Sequence, residues 1–135
     1  MIPKYRAWDG SICRMYQPDE VMVGDGNIWI IDEDDVAGSW IVNNDLNLMQ
    51  STGMFDEIDE ELFEGDVILW TYWDEFEDEG RAEIVFENGM FKLLDTRSRK
   101  EVWDNLFDCI ENCNVYLVGD IYQNPGFLEA DHDRD

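Results

Sequence analysis

Three groups of side chains in this sequence are of types that do chemistry. Asp32-Glu33-Asp34-Asp35 and Asp74-Glu75 with Glu77-Asp78-Glu79 offer the hard oxygen ligands that Mg²⁺ and Ca²⁺ take. Cys109 and Cys113 stand four residues apart, and His132 is the single imidazole, three residues before the end. A general base must be held in place to act, and a charged chain end holds nothing, so His132 reads as a solvated tail residue. Without a positioned imidazole neither thiol has an activating base. A closed zinc site wants four ligands and the cysteine pair supplies two. Both cysteines fall on or beside an apolar stripe, where buried small hydrophobes are the expectation. The acid runs lack EF-hand spacing: Asp25-Gly26-Asn27 has no acid at position five and no Glu at position twelve. A two-metal hydrolase would also need acids at separated strand ends and a base or cation for the phosphate. Weak, diffuse cation binding is expected of these runs. Neither GxxxxGK[ST] nor GxGxxG occurs. The expectation is a protein without catalytic residues, metal site or cofactor, and not an enzyme.

What remains is charge. The chain of 135 residues carries 33 acids against 9 bases, a formal −24. Six Trp, five Tyr and seven Phe exclude a disordered acidic tail, so a folded domain is expected. Free nucleic acid and anionic membranes need clustered Lys and Arg, so direct binding to either is not expected. A basic protein is the natural complement, including one whose own ligand is nucleic acid. An odd three cysteines without CxxC, no secretory leader in MIPKYRAWDG and no 18-residue apolar run point to a reduced, cytoplasmic location.

The elements read mostly as strands. KYRAW (4–8) and ICRMY (12–16) flank Asp9-Gly10-Ser11, a hairpin turn. NIWII (27–31), SWIV (39–42) and LNLMQ (46–50) are further strands, and DVILWTYW (66–73) is the richest in β-branched and aromatic residues. In EIVFENGMFKLL the Asn88-Gly89 pair predicts a two-residue hairpin placing Ile84, Phe86, Phe91 and Leu93 near one face. Ser98 and Glu101 have capping-box spacing, followed by Val102, Trp103, Leu106, Phe107, Ile110 and Cys113 at helical steps. NVYLVGDIY (114–122) is a strand interrupted by Gly119. The expected core is Trp70, Ile84, Phe86, Phe91, Leu93, Trp103, Leu106, Phe107 and Ile110. No linker or repeat divides the chain, which reads as one domain over 1–130 with a charged tail at 131–135.

Five of these blocks carry a resemblance. YRAWD (5–9) with Met15-Tyr16, LMQSTGM (48–54), EGDVI (64–68), VFENGMFKL (85–93) and VGDIYQNPGFLE (118–129) come in the order of the YopX-like family encoded by phages and prophages. The resemblance implies a mainly β (α+β), partly barrel-like domain with one principal amphipathic helix near the C-terminus. It leaves room for a homo-oligomer and implies no activity, so no catalytic residue is carried over. Relatives carry a K-x-x-G-K-like turn between the second and third blocks. Here the segment is MFDEIDEELF (54–63), with acids in its place.

Asp56 to Glu87 holds fourteen acids against the single base Arg81, a net −13. Such self-repulsion destabilises a fold, so a use for it is expected. In an extended strand Glu75, Glu77 and Glu79 would form a ladder about 6.6 Å apart, with Asp74 and Asp78 facing away. Regular negative charge on a rigid support resembles a nucleic-acid backbone. The expected partner-binding residues are Asp56, Glu57, Asp59, Glu60, Glu61, Asp74, Glu75, Glu77, Asp78 and Glu79, with Trp70, Tyr72 and Trp73 as apolar anchors if exposed. The function expected is that of a non-catalytic phage or prophage accessory protein, an acidic nucleic-acid mimic that inhibits a basic host nucleic-acid-binding or defence protein. The alternative is a self-assembling structural or regulatory module whose acidity only keeps it soluble. An acid-cluster metal enzyme ranks third.

Overall fold

The computed structural model describes residues 4–72 and 75–126, and the side chains of these apart from 75–78. The chain divides into two compact units, Met1–Ser51 and Thr52–Asp135. Among the described residues no helix is long and apolar enough to cross a membrane.

The first unit contains β1 (Tyr5–Asp9), β2 (Arg14–Tyr16), β3 (Val21–Gly24), β4 (Asn27–Ile31), β5 (Trp40–Val42) and the start of β6 (Asn47–Phe55). Strand β1 pairs antiparallel with β2 through Ala7↔Tyr16 and with β6 through Tyr5↔Gln50. Strands β3, β4 and β5 form a separate antiparallel meander. Ala7, Tyr16, Val21, Ile30 and Leu46 make the core, with Tyr5, Ile28 and Leu48 packed on it. The β1–β2 turn is where Asp9-Gly10-Ser11 predicts it, and Asp9 Oδ1 accepts from both Ser11 N at 2.9 Å and Ser11 Oγ at 2.6 Å. Strand β3 lies outside the sequence expectation. Its signal is Asp25-Gly26, whose φ values of 53° and 76° make the two-residue hairpin turn into β4.

The second unit adds β7 (Glu61–Phe63), β8 (Asp66–Tyr72), β9 (Glu75–Glu87), β10 (Met90–Asp95), β11 (Glu101–Val102), α1 (Leu106–Asn112) and β12 (Asn114–Asp120). Five strands form one antiparallel sheet in the order β11-β10-β9-β8-β12. One face of it and α1 enclose Leu62, Ile68, Ala82, Ile84, Leu93, Leu106, Cys109, Cys113 and Val115. The mainly β class with a single principal helix is as expected. So is the Asn88-Gly89 hairpin: both residues take positive φ, and Phe86 opposes Phe91 as Ile84 opposes Leu93.

Two expectations are corrected. The helix starts late: Glu101–Val102 is a strand paired with Leu93 and Leu94, and Ser98 lies in a turn whose amide donates to Asp95 Oδ1 at 2.8 Å. The working cap is Asn105, whose side chain accepts from Asp108 N at 2.8 Å. Asp95 wins the backbone of 97–98 before Ser98 can cap anything, and Arg99 and Trp103 at φ 59° and 61° turn the chain on either side of β11. Of the nine expected core residues, all but Phe86 and Phe107 belong to the core or pack on it. Ile84, Leu93 and Leu106 are buried, and Trp70, Phe91, Trp103 and Ile110 are half-buried. Phe86 is 41% exposed near the hairpin tip, its ring resting on Phe91 at 4.8 Å, and Phe107 is 58% exposed on the outer side of the short helix.

Opposite Gly80 lies the Trp70 indole, and a Cβ at position 80 would come within 2.7 Å of it. This glycine is required by close approach. Leu106→Ala should therefore cost about 2–5 kcal/mol, while Phe107→Ala stays within about 0.5 kcal/mol. Gly80→Ala should lower the melting temperature by displacing Trp70. Equal melting temperatures for Leu106→Ala and wild type would contradict this core.

Candidate functional site: an acidic turn held by a buried carboxylate

The ten expected binding residues fall in two places. Asp74 and the side chains of Glu75, Glu77 and Asp78 lie outside the described residues. The others are Glu79, exposed on β9, and the β6–β7 turn, where Glu57, Asp59 and Glu60 are exposed and Glu61 half-buried. Asp56 departs from the expectation: it is only 7% exposed, and its carboxylate faces inward.

Its chemistry explains why. Asp56 Oδ1 accepts from Ile58 N at 3.0 Å and Glu60 N at 2.8 Å, and Oδ2 accepts from Leu117 N at 2.8 Å. A short carboxylate can reach the amide two residues on, as longer Glu cannot so readily, and this makes the tight Asx-type turn. Asp56 N donates to Glu60 O at 2.9 Å and Asp59 N to Asp56 O at 3.1 Å, closing the loop, with Asp59 at φ 64° in a conformation Asp tolerates. Asp56 is thus removed from the exposed surface and supports the turn. Around it Glu57, Asp59 and Glu60 surround an exposed Ile58.

The turn also covers a strand edge. Strand β12 is the last in its sheet, and an open edge invites pairing with other chains. Here Glu57 N donates to Val115 O at 2.9 Å, and Leu117 N is taken by Asp56. Both bonds fall just before the register shift between Leu117 and Gly119.

The Glu75–Glu79 ladder is not carried by regular pairing. Thr71 opposes Glu79 while the next residue, Tyr72, opposes Glu75, so the register breaks inside the segment that an even repeat would need. Of the expected anchors, Tyr72 is exposed, and Trp73 lies outside the described residues. Trp70 is half-buried, packed edge-on against Tyr72 at 5.9 Å and Trp103 at 5.5 Å.

The other chemically capable groups are engaged locally. In the 32–35 loop, Asp32 Oδ1 accepts from Asp34 N at 3.0 Å, and Asp35 accepts from Ala37 N at 2.9 Å and from Ser39 Oγ. Glu33 pairs with Arg14, which also holds Glu20 at 2.9 Å; the guanidinium keeps the Glu33 carboxyl below the usual range. Among the described residues no group of three or more His, Cys, Asp or Glu side chains is arranged to hold a metal ion. His132 lies outside them. Cys109 and Cys113 are buried with their sulfurs 3.3 Å apart, and burial pushes both thiols up. Five of the nine bases sit between Arg81 and Lys100. Arg81 and Arg97 line a cleft of about 350 Å³ with Glu79 and Asp95, so its charges balance within the chain.

The sequence matches the YopX protein family over residues 4–129. The chain belongs to the YopX family. The fold is similar to the crystal structure of protein EF1440 from Enterococcus faecalis, at 25% identity and TM-score 0.65, covering 95% of this chain and 99% of that one. It is similar also to the YopX protein of Bacillus subtilis, at 19% identity and TM-score 0.62, covering 93% and 97%. No curated protein matches the sequence. The YopX match spans both compact units.

Asp56→Ala should leave buried amides unpaired and cost about 1–3 kcal/mol. Asp56→Asn keeps one acceptor oxygen but sets an NH₂ group against a backbone N–H, so it should rescue only part of that loss. An Asp56→Ala protein with the wild-type melting temperature would refute the turn's role. The cysteines set a pH dependence. A thiol whose folded pKa is raised contributes fully below the unfolded value near 8.5 and loses that contribution as pH rises past it. Ellman's reagent should titrate Cys13 alone in the folded protein at pH 8 and all three cysteines on unfolding, with stability falling towards pH 10.

Proposed function

We propose that this YopX-family protein is a non-catalytic phage or prophage accessory protein that acts by binding a basic host protein. The observation that carries the proposal is the turn held by Asp56. Three exposed carboxylates, Glu57, Asp59 and Glu60, stand on a backbone fixed by hydrogen bonds to a buried fourth. Residues 15–80 contain no Lys or Arg, so this part of the chain offers these charges no basic neighbour in sequence. A turn whose backbone is already held loses little backbone freedom when a partner docks. They also steer a basic partner towards the turn. Glu79 and the acidic segment before it extend the same character, and the partner class is a groove that ordinarily takes a nucleic-acid backbone.

The triple variant Glu57→Gln, Asp59→Asn, Glu60→Gln should slow association with a partner captured from bacterial lysate at low salt. Its melting temperature should stay the same or rise, since repulsion is relieved. Wild-type association should slow as ionic strength approaches about 0.15 M, where the Debye length is about 8 Å. Neutralising Asp131, Asp133 and Asp135 should matter less. A triple variant that associates at the wild-type rate would contradict the assignment.

A further inference from the structure

Two nucleophilic side chains of the second unit take no part in the acidic turn. Cys109 and Cys113 are both buried, one inside α1 and the other at its C-cap. Cys113 leaves the helix in an extended conformation, φ −151° and ψ 175°, and leads directly into β12. The two sulfurs come to rest in contact, 3.3 Å apart. Cys113 Sγ donates to Cys109 O at 2.9 Å, so its lone pairs are left to face Cys109 Sγ. The same carbonyl accepts from Cys113 N at 3.0 Å and keeps that partner if the thiol hydrogen is lost. A bond between the sulfurs needs them to close from 3.3 Å to about 2.05 Å. Burial holds both as thiols, and the Glu57 carboxylate pushes Cys113 the same way. Thiolates are the attacking species, so the pair is inert while α1 is closed.

Helix α1 is built to open. It has seven residues, too few for a helix to persist without its packing, and Phe107 on its outer side adds little. Local opening frees both thiols, and closing returns the sulfurs to contact, which favours a bond between them over a bond to a small thiol. We propose that Cys109 and Cys113 are a redox pair, which glutathione disulfide converts to a disulfide that locks the end of α1 to the start of β12. One cysteine thiolate attacks glutathione disulfide and releases one reduced glutathione. The second cysteine then displaces the other glutathione from the mixed disulfide. The two cysteines lose two protons and two electrons, and glutathione disulfide takes up both. Val115, two residues beyond Cys113, accepts from Glu57 N at 2.9 Å, so the lock fastens the strand end on which the acidic turn rests. The inference goes beyond the binding function and does not depend on the turn having a partner.

The test uses the full chain with Cys13→Ser, which removes the exposed thiol. It is held in glutathione buffers of graded reduced-to-oxidised ratio, both as folded protein and by refolding from denaturant, so that a slow opening of α1 cannot hide the equilibrium. Free thiols are then alkylated in denaturant and counted by mass. Both routes should converge on a form with neither cysteine alkylated and no glutathione attached, while reduced glutathione is still in excess. From the folded side, Leu106→Ala loosens α1 and should reach that form about tenfold faster or more. Amide exchange across Leu106–Asn112 should slow on oxidation. Cys109→Ser and Cys113→Ser should each leave a free thiol or a glutathione adduct. Two alkylated cysteines at every ratio from both routes, a mixed disulfide as the end state, or a disulfide that forms in denaturant and is lost on folding would overturn the redox pair. Unchanged amide exchange in the oxidised protein would overturn the lock.

Discussion

The second unit depends on where one carboxylate spends its hydrogen bonds. Asp56 gathers two amides of its own turn and one from β12, sixty-one residues later, and so ties the β6–β7 connection to the edge of the main sheet. A buried charge is costly unless its oxygens are matched, and here three backbone donors match them. The same device recurs. Asp66 accepts from Phe63 N at 2.7 Å, and Asp120 accepts from Tyr122 N at 2.9 Å and Gln123 N at 2.7 Å. Glu83 takes the Arg99 guanidinium at 2.7 Å. The acidity of this chain therefore has two parts: inward carboxylates that organise turns, and outward ones that set its field.

That division shapes the acidic turn. The backbone that carries the outward acids of the turn is held by an inward one. The edge of β12 is covered by the same turn, which turns aside strand pairing with other chains at Val115 to Leu117. At the opposite end of the sheet the edge strand β11 has only two residues, too short to template much. Both edges are blunted.

Local alternation and turn dipeptides made the strands legible. Asn88-Gly89 fixed the hairpin register, and the five family blocks indicated a YopX-like fold. Two kinds of information were hidden. Competition between local motifs was one: Ser98 and Glu101 have the spacing of a cap, yet Asp95 captures the amides of Arg97 and Ser98 and strand pairing takes Glu101. Long-range partnership was the other. Nothing around Asp56 announces Leu117, so a count of acids treated Asp56 like its exposed neighbours. The overlooked β3 was readable from Asp25-Gly26, while the outer apolar face it shares with Trp29 emerges only from the pairing register.

The proposed partner is a groove built for nucleic acid, met by the acidic turn. Competition tests it most directly: the captured partner is immobilised, saturated with duplex DNA, and titrated with this protein at fixed ionic strength. Mutual exclusion is expected, with DNA displaced in proportion to bound protein and the Glu57, Asp59 and Glu60 neutralisation displacing less. A partner that holds DNA and this protein together would contradict it.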